Sequence, residues 1–279
     1  MLTLMNECFG KKFILNGTIQ PSDIFDNSLI YEGDSIYEVI RMTRGAPVFF
    51  HDHMERLYLS VKYQQKELPA DIEALRRAII SLTRSDRRKE ANLKIVFNYN
   101  SGVQSWLVYF IEPMYPSAEQ YKKGVKGILF RAERKDPESK VINHKLRSEI
   151  YHRLILEGAY EALLVNDKNL ITEGSRSNIF FVRGTTLYTA PDKYILNGIT
   201  RKHILELCAG ENIGTEMKCI SSDDIEKYDS VFMTGTSPIV LPFCCINERF
   251  FDAELPLLKR LRELYMARAE ESMIRFRSE

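Results

Sequence analysis

Short apolar stretches with β-strand character recur along this 279-residue chain and outnumber the amphipathic helices between them. "ANLKIVFNYN" and "SWLVYFIEP" combine β-branched and aromatic residues, which favour strands. "HDHMERLYLSVKYQQKEL" instead places Met54, Leu57 and Val61 at helical intervals. A doubly wound parallel sheet needs a crossover helix between successive strands. The excess of strands therefore predicts an α/β chain of α+β character, with mixed or antiparallel sheets.

One stretch near the middle, "EPMYPSAEQYKKG", interrupts the pattern with two prolines and several polar residues. A chain of this length can form two domains that each have a core. We therefore expect a small N-terminal α/β domain over residues 1–115, a linker over 116–124, and a larger C-terminal α/β domain over 125–279.

Charge and composition narrow the possible partners. The 39 basic and 38 acidic residues nearly cancel, so no overall field favours nucleic acid or an anionic membrane. No apolar run approaches the roughly 20 residues that span a bilayer, and the first residues lack a signal-peptide pattern. The five cysteines are scattered without metal-site spacing. The sequence predicts a cytoplasmic protein without a metal, a membrane or a nucleic-acid partner.

Two loops of small residues are candidates for binding an anion. In "LNGITRKHIL" a helix begins after Gly198, so the amides of Ile199 and Thr200 and the Thr200 hydroxyl can face a ligand at the positive end of the helix dipole. In "MTGTSP" the amide and hydroxyl of Thr236 offer further donors. An ordinary helix start and a tight turn are the structural alternatives.

Charged residues in three other segments have a structural and a functional interpretation. Glu173, in "TEGSRSNIFF", is either a surface charge or a carboxylate that awaits a cation. Glu38 lies in the alternating strand "SIYEVIR", which favours a solvent-facing side chain. Arg56 is either a helix-surface arginine or a clamp for two phosphate oxygens. His51 and His53 flank it on different helix faces, and we interpret both as structural.

Together with a lysine, these groups meet the requirements of pyridoxal 5'-phosphate. The lysine amine reacts with the cofactor aldehyde, a carboxylate keeps the pyridine nitrogen protonated, and the other groups hold the phosphate.

The chain resembles fold-type IV pyridoxal-phosphate enzymes, the class IV aminotransferase family. That family includes branched-chain aminotransferases, D-amino acid aminotransferases and aminodeoxychorismate lyase. Seven segments carry the resemblance in family order: "GDSIYEVIR", "HMERLYLS", "KVIN", "GAYEALLVN", "TEGSRSNIFF", "LNGITR" and "VFMTGTSPIVLPF". The resemblance implies two α/β domains, the larger with a mixed, barrel-like sheet.

The segment "ESKVINHKLRSE" offers two lysines, Lys140 and Lys145. Starting from Lys140, the 33 positions to Glu173 align without a gap with the lyase-like members of the family. Lys145 would require a helix more than a turn shorter. Asn143 suits a helix N-cap, which predicts Lys145 in the first helical turn, towards solvent. The resemblance therefore implies Lys140 as the catalytic lysine.

The family's site residues carry over to matching positions of this chain. The implied cofactor-binding residues are Arg56, Lys140, Glu173, Ile199, Thr200 and Thr236. The implied reaction moves an amino group between an amino acid and a 2-oxo acid through a Lys140 aldimine. Two alternatives stay open: an aminodeoxychorismate lyase that gives 4-aminobenzoate and pyruvate in the folate pathway, and a non-catalytic ligand-binding homologue.

Substrate recognition departs from the family pattern. Many members use an arginine on the strand that reads "LKIVFNYNSG" here, whereas this chain has Asn98 and Tyr99. We name Asn98, Tyr99 and Ser237 as candidate substrate-binding residues, with Arg41 and Arg176 as other sources of a cation. The resemblance also implies a homodimer and small-molecule amino acid and 2-oxo acid substrates.

Overall fold

The protein forms two compact units, and its structure, a computed structural model, describes residues 6–134 and 137–279. The first unit contains the chain up to residue 114 together with residues 139–142 and 269–279. Residues 115–138 and 143–268 form the second unit.

The first unit is an antiparallel sheet with helices. Its elements are β1 (Lys12–Leu15), β2 (Thr18–Pro21), a 3-10 helix (Ser22–Ile24), α1 (Ser28–Tyr31), β3 (Asp34–Thr43), β4 (Ala46–Pro47), α2 (Phe50–Tyr63), α3 (Ile72–Asp86), β5 (Ala91–Asn100) and β6 (Val103–Ile111). The strands run in the order β2-β1-β6-β5-β3-β4. Helix α2 packs on β3, and α3 packs on β1 and β6.

The second unit is built around a mixed sheet. Its elements are α4 (Ala118–Lys123), β7 (Val125–Arg131), α5 (His144–Glu157), β8 (Glu161–Val165), β9 (Leu170–Gly174), β10 (Asn178–Arg183), β11 (Thr186–Thr189), a 3-10 helix (Asp192–Tyr194), α6 (Ile199–Gly210), β12 (Gly214–Met217), β13 (Ile220–Ser221), a 3-10 helix (Ile225–Lys227), β14 (Ser230–Gly235), β15 (Ile239–Ile246) and β16 (Arg249–Phe250). A last helix, α7 (Pro256–Ser278), begins in this unit, and its residues from 269 onward belong to the first.

The sheet of the second unit has the order β12-β11-β10-β14-β15-β7-β8-β9-β13, with β16 beside β15. Strand β7 runs parallel to β8 and β15, whereas β14 is antiparallel to β10 and β15. Strand β8, which is parallel to β7 and antiparallel to β9, is buried along its whole length and carries four apolar residues after Glu161. The prediction of an α/β protein with a mixed sheet is confirmed.

The predicted domain boundaries stay a prediction. Within the predicted linker, residues 118–123 form α4, whose start has a complete capping box between Ser117 and Gln120. Residues 139–142 extend the sheet of the first unit, because Val141 forms an antiparallel bridge with Ile36 of β3. This placement brings the candidate lysine segment into the first unit.

Candidate active site

One face of α2 carries polar side chains towards β3. His53, Arg56 and Ser60 recur at intervals of three and four residues, so they lie on one side of the helix, and all three are buried. The Arg56 guanidinium donates from Nε and Nη2 to the two carboxylate oxygens of Glu38, both at 2.7 Å. The surface interpretation of Arg56 is therefore wrong, because the residue is 9% exposed.

Glu38 is fully buried, which corrects the expectation that it faces solvent. It lies between Ile36 and Ile40 on the β3 face that α2 covers, so its charge requires partners from the helix. Arg56 supplies two hydrogen bonds, and Nδ1 of His53 lies 2.8 Å from Glu38 Oε2. Burial raises the pKa of Glu38, but the charge of Arg56 and the hydrogen bonds from Arg56 and His53 outweigh it and lower the pKa to about 2.

His53 is a neutral partner in this group. Burial lowers its pKa, and the hydrogen bond to Glu38 offsets only part of that effect. Because Glu38 is ionised and can only accept, the His53 proton lies on Nδ1. The interpretation of His51 and His53 as residues on different faces is confirmed, since His51 is half-exposed and pairs with Glu279.

Lys140 is held by its backbone from two sides. Its carbonyl accepts a 3.1 Å hydrogen bond from the Tyr37 amide, and its own amide donates to Ser60 Oγ at 3.2 Å. The Ser60 hydroxyl in turn donates to the Arg56 carbonyl. The Lys140 ammonium lies 4.8 Å from the centre of the Tyr37 ring, within the range of a cation–π contact. Lys140 and Arg56 are thus fixed by the same strand and helix.

Lys145 has a different environment. It is exposed in the first turn of α5. Asn143 caps this helix, and its side chain accepts a hydrogen bond from the Leu146 amide at 3.2 Å. The predicted N-cap and the predicted solvent exposure of Lys145 are confirmed.

Glu173 is a buried carboxylate in the second unit, on β9. It is 3% exposed, so the interpretation as a surface charge is wrong. Its Oε2 accepts a hydrogen bond from the Leu196 amide at 3.1 Å, and its Oε1 lies 3.6 Å from Nη1 of Arg134. This carboxylate is held beside the segment that leads into α6.

The start of α6 provides amides near Glu173. Gly198 is the N-cap and has no side chain to occupy the first amides. A Cβ there would overlap Oδ1 of Asn178, so close packing, rather than a positive φ, requires glycine. Ile199 and Thr200 are buried in the first turn, where the Thr200 hydroxyl lies 3.4 Å from the Tyr265 hydroxyl.

The loop that carries Thr236 and Ser237 follows β14, and both residues are half-buried. Asn178 joins this strand to the start of α6, because it pairs with Thr234 in the sheet and donates to a carbonyl just before Gly198. Ile239 ends the loop with φ of 55°, an unusual conformation for a β-branched residue. Such strained residues cluster at ligand-binding loops.

The two candidate substrate residues on β5 have structural partners. The Asn98 amide donates to the Glu32 carbonyl at 2.7 Å and to Ser35 Oγ at 3.0 Å. The Tyr99 hydroxyl donates to the Glu67 carbonyl at 2.7 Å. Their role in substrate binding stays a prediction.

Lys94 of β5 is a buried cation that the sequence interpretation did not identify. Lys94 is 2% exposed and forms an ion pair with Glu7 at 2.5 Å. Its ammonium lies 5.3 Å from the centre of the same Tyr37 ring that Lys140 contacts. The signal available in the sequence is a lysine inside the apolar run "LKIVF".

Sequence reasoning also missed Glu161 on β8, which is fully buried. Its Oε1 accepts hydrogen bonds from the Ala162 amide and from both the amide and the hydroxyl of Ser175, and its Oε2 accepts one from Ser177 Oγ. These contacts fix the turn that follows Glu173. A glutamate in the buried strand "YEALLV" was the available signal.

Comparison with known proteins identifies the family. The sequence profile of the amino-transferase class IV family matches residues 35–246, more than half of the chain. The protein belongs to this family.

Its relatives carry several activities. A D-alanine aminotransferase of Bacillus licheniformis is 27% identical over 88% of this chain and 92% of its own length. An aminodeoxychorismate lyase of Bacillus subtilis is 23% identical over 80% of this chain and 81% of its own. A crystal structure of the T.th. branched-chain amino acid aminotransferase with pyridoxamine 5'-phosphate superposes with a TM-score of 0.84 at 24% identity, covering 97% and 98% of the two chains.

Family membership confirms the predicted fold type IV, an enzymatic function and pyridoxal 5'-phosphate as the cofactor. The relatives do not agree on one reaction, so membership leaves the substrate open. Among the described residues, every helix is too short or too polar to cross a bilayer.

Proposed function

We propose that this protein is an aminotransferase that moves an amino group between an amino acid and a 2-oxo acid, with Lys140 as its catalytic lysine. The main support for the proposal is the fixed backbone of Lys140, which is hydrogen-bonded to Tyr37 of β3 and to Ser60 of α2. A reactive amine must be presented in a fixed direction, and an exposed side chain such as Lys145 is not fixed in this way.

The chain has the groups that pyridoxal 5'-phosphate requires. Glu173 is buried and ionisable, the first amides of α6 have no side-chain cap, and Arg56 is oriented by Glu38. We assign the phosphate to Arg56, Thr200, Thr236 and the Ile199 amide, and the pyridine nitrogen to Glu173. When bound, the cofactor supplies an aldehyde for amines and a ring that accepts the electron pair released at the substrate α-carbon.

Each residue then has a defined task. Lys140 Nζ would act as the general base that accepts the proton from the substrate α-carbon and holds it for return later in the reaction. Glu173 favours a proton on the ring nitrogen placed against it, because a buried carboxylate stabilises a nearby cation. The donors of α6 and of the Thr236 loop would hold the phosphate dianion of the cofactor.

We propose that Ser237 and the amides beside it bind the substrate carboxylate, with Asn98 and Tyr99 as further candidates. Arg176 is a weaker candidate, because it donates to the Tyr160 carbonyl and faces Glu161. We also propose a cytoplasmic location and a homodimer. Light scattering of the purified protein would test the dimer, and fractionation of cells would test the location.

Aminodeoxychorismate lyase is the second candidate. The gapless spacing from Lys140 to Glu173 favours it, and so does the similarity to the Bacillus subtilis lyase. A lyase uses the same lysine and carboxylate, and differs in releasing a leaving group from the substrate after the proton is removed.

Two assays separate the candidates. The purified protein is supplied with 2-oxoglutarate and a panel of L- and D-amino acids, and in parallel with aminodeoxychorismate. Glutamate formation in the first assay supports the aminotransferase, whereas 4-aminobenzoate and pyruvate in the second replace it with the lyase. Lys140→Ala should abolish the observed activity, and the matched control Lys145→Ala should retain it.

A further inference from the structure

Glu38, His53 and Arg56 form a buried polar group, and removing its charges from water costs free energy. Ion pairs removed from water are often no more stabilising than apolar residues of similar size. Glu38 is 0% exposed and His53 is 4% exposed, so their charges and dipoles interact mainly with each other and with Arg56. Fixed geometry is the property that such a pair provides and an apolar pair does not.

The contacts with Glu38 use one edge of the Arg56 guanidinium. Nε and Nη2 lie along that edge, and each donates to one Glu38 oxygen at 2.7 Å. A guanidinium is planar and has five N–H donors. Fixing one edge therefore fixes the plane of the fork and the direction of its opposite edge, which includes Nη1.

His53 prevents the carboxylate from rotating. Its Nδ1 donates to Glu38 Oε2 at 2.8 Å, the same oxygen that accepts from Nη2 of Arg56. Since His53 lies one helical turn before Arg56, the rigid helix sets the distance between the two donors. The carboxylate is thus held by groups of known spacing.

We infer that Glu38 and His53 are positioning residues that aim the Arg56 guanidinium at the phosphate group of the cofactor. The inference rests on the proposed function, in which Arg56 binds that phosphate. Glu38 and His53 act through Arg56 and contact neither the cofactor nor the substrate themselves.

The test compares two ligands that differ only in the phosphate. The full-length protein, freed of cofactor, is titrated with pyridoxal 5'-phosphate and separately with pyridoxal. Glu38→Gln keeps the size of the side chain but replaces one carboxylate oxygen with an NH2 group. This NH2 group is a donor, so it cannot accept the hydrogen bond from Arg56. In metal sites, partners that orient a ligand group are worth roughly 10- to 100-fold in affinity. We expect about tenfold weaker binding of pyridoxal 5'-phosphate, with pyridoxal binding unchanged.

The matched control is Asp86→Asn. Asp86 is a buried carboxylate of the same unit that accepts from the Lys11 amide and faces Arg88, without a contact to Arg56. This variant should bind both ligands like the wild type. If Glu38→Gln weakens both ligands equally, or neither, Glu38 has a structural role only and the inference is overturned.

Two further sets of variants complete the test. Arg56→Gln should selectively weaken pyridoxal 5'-phosphate; if it does not, the proposed phosphate role of Arg56 fails, independently of Glu38. If Glu38→Gln does not fold, His53→Leu and His53→Asn replace it. The asparagine amide can donate in place of Nδ1, so His53→Asn should keep phosphate-dependent affinity and His53→Leu should lose it. Equal binding by both His53 variants would overturn the role of His53.

Discussion

Glu38 and Glu161 are both fully buried carboxylates on central strands, one in each unit, yet the chain satisfies them in different ways. Glu38 faces a guanidinium and an imidazole, both from one helix. Glu161 faces hydroxyls and amides, mostly from the turn just after Glu173. The first arrangement orients a cation, and the second orients a backbone turn. A buried acid can therefore prepare a binding group or shape the loop beside one.

The two carboxylates should differ most in how much stability is lost when each is replaced by alanine. Glu38→Ala leaves Arg56 buried without its counter-charge, so we expect a loss of about 3–5 kcal/mol in the free energy of unfolding. Urea denaturation followed by circular dichroism measures it. The exposed neighbour Glu55→Ala on α2 is the control and should change stability by about 0.5 kcal/mol or less. A loss below about 1 kcal/mol for Glu38→Ala would show that the pair is not electrostatically coupled.

Acid should weaken the contacts of Glu38 with Arg56 and His53 within a defined pH range. The pKa of Glu38 is lowered from 4.5 to about 2 in the folded protein, so its contribution is present above pH 4.5 and disappears as the pH falls towards 2. The stability difference between the wild type and Glu38→Gln should shrink by about 3 kcal/mol across that range. Denaturation midpoints at several pH values measure it. A difference that stays constant with pH would contradict the assignment.

Removing the second carboxylate should cost less. Glu161→Ala leaves the Ser175 and Ser177 donors buried without their acceptor, which we expect to cost about 1–3 kcal/mol. The same urea experiment measures this loss, and the partly exposed Glu157→Ala serves as the control. A loss equal to that of Glu38→Ala would remove the distinction between the two sites.

The smallest effect concerns His53. Its pKa is lowered by burial, so below about pH 6.5 the unfolded chain binds a proton that the folded chain does not. Wild-type stability should therefore decline with falling pH by up to about 1.4 kcal/mol per pH unit, and His53→Asn should lack this component. Parallel slopes for the two proteins would show that His53 does not titrate in this way.

Much of the local structure could be predicted from spacing alone. The helical interval of Ile72, Leu75, Ile79 and Leu82 predicts one apolar face of α3; the last three are buried, and Ile72 is half-buried. The sequence predicts Asn143 as a helix N-cap, and Asn143 caps α5. Such features depend on residues within one or two helical turns of each other, and their spacing can be read from the sequence.

The pairing of distant side chains could not be predicted. Alternation in β3 separates its two faces, but it does not indicate which face a helix covers. The sequence pattern therefore predicts Glu38 in solvent, whereas the residue is buried. Lys94 and Glu7 are 87 positions apart, and the sheet that brings them together is not visible in either segment. Charged residues inside apolar strands are the sequence signal for such pairs, and only the fold supplies the partner.

Borohydride labelling tests directly whether Lys140 is the lysine that reacts with the cofactor. The full-length protein loaded with pyridoxal 5'-phosphate is reduced with borohydride, digested, and mapped by mass spectrometry. We expect a pyridoxyl group on Lys140 in the peptide that contains it. A label on Lys145, or on Lys94 of β5, would contradict it.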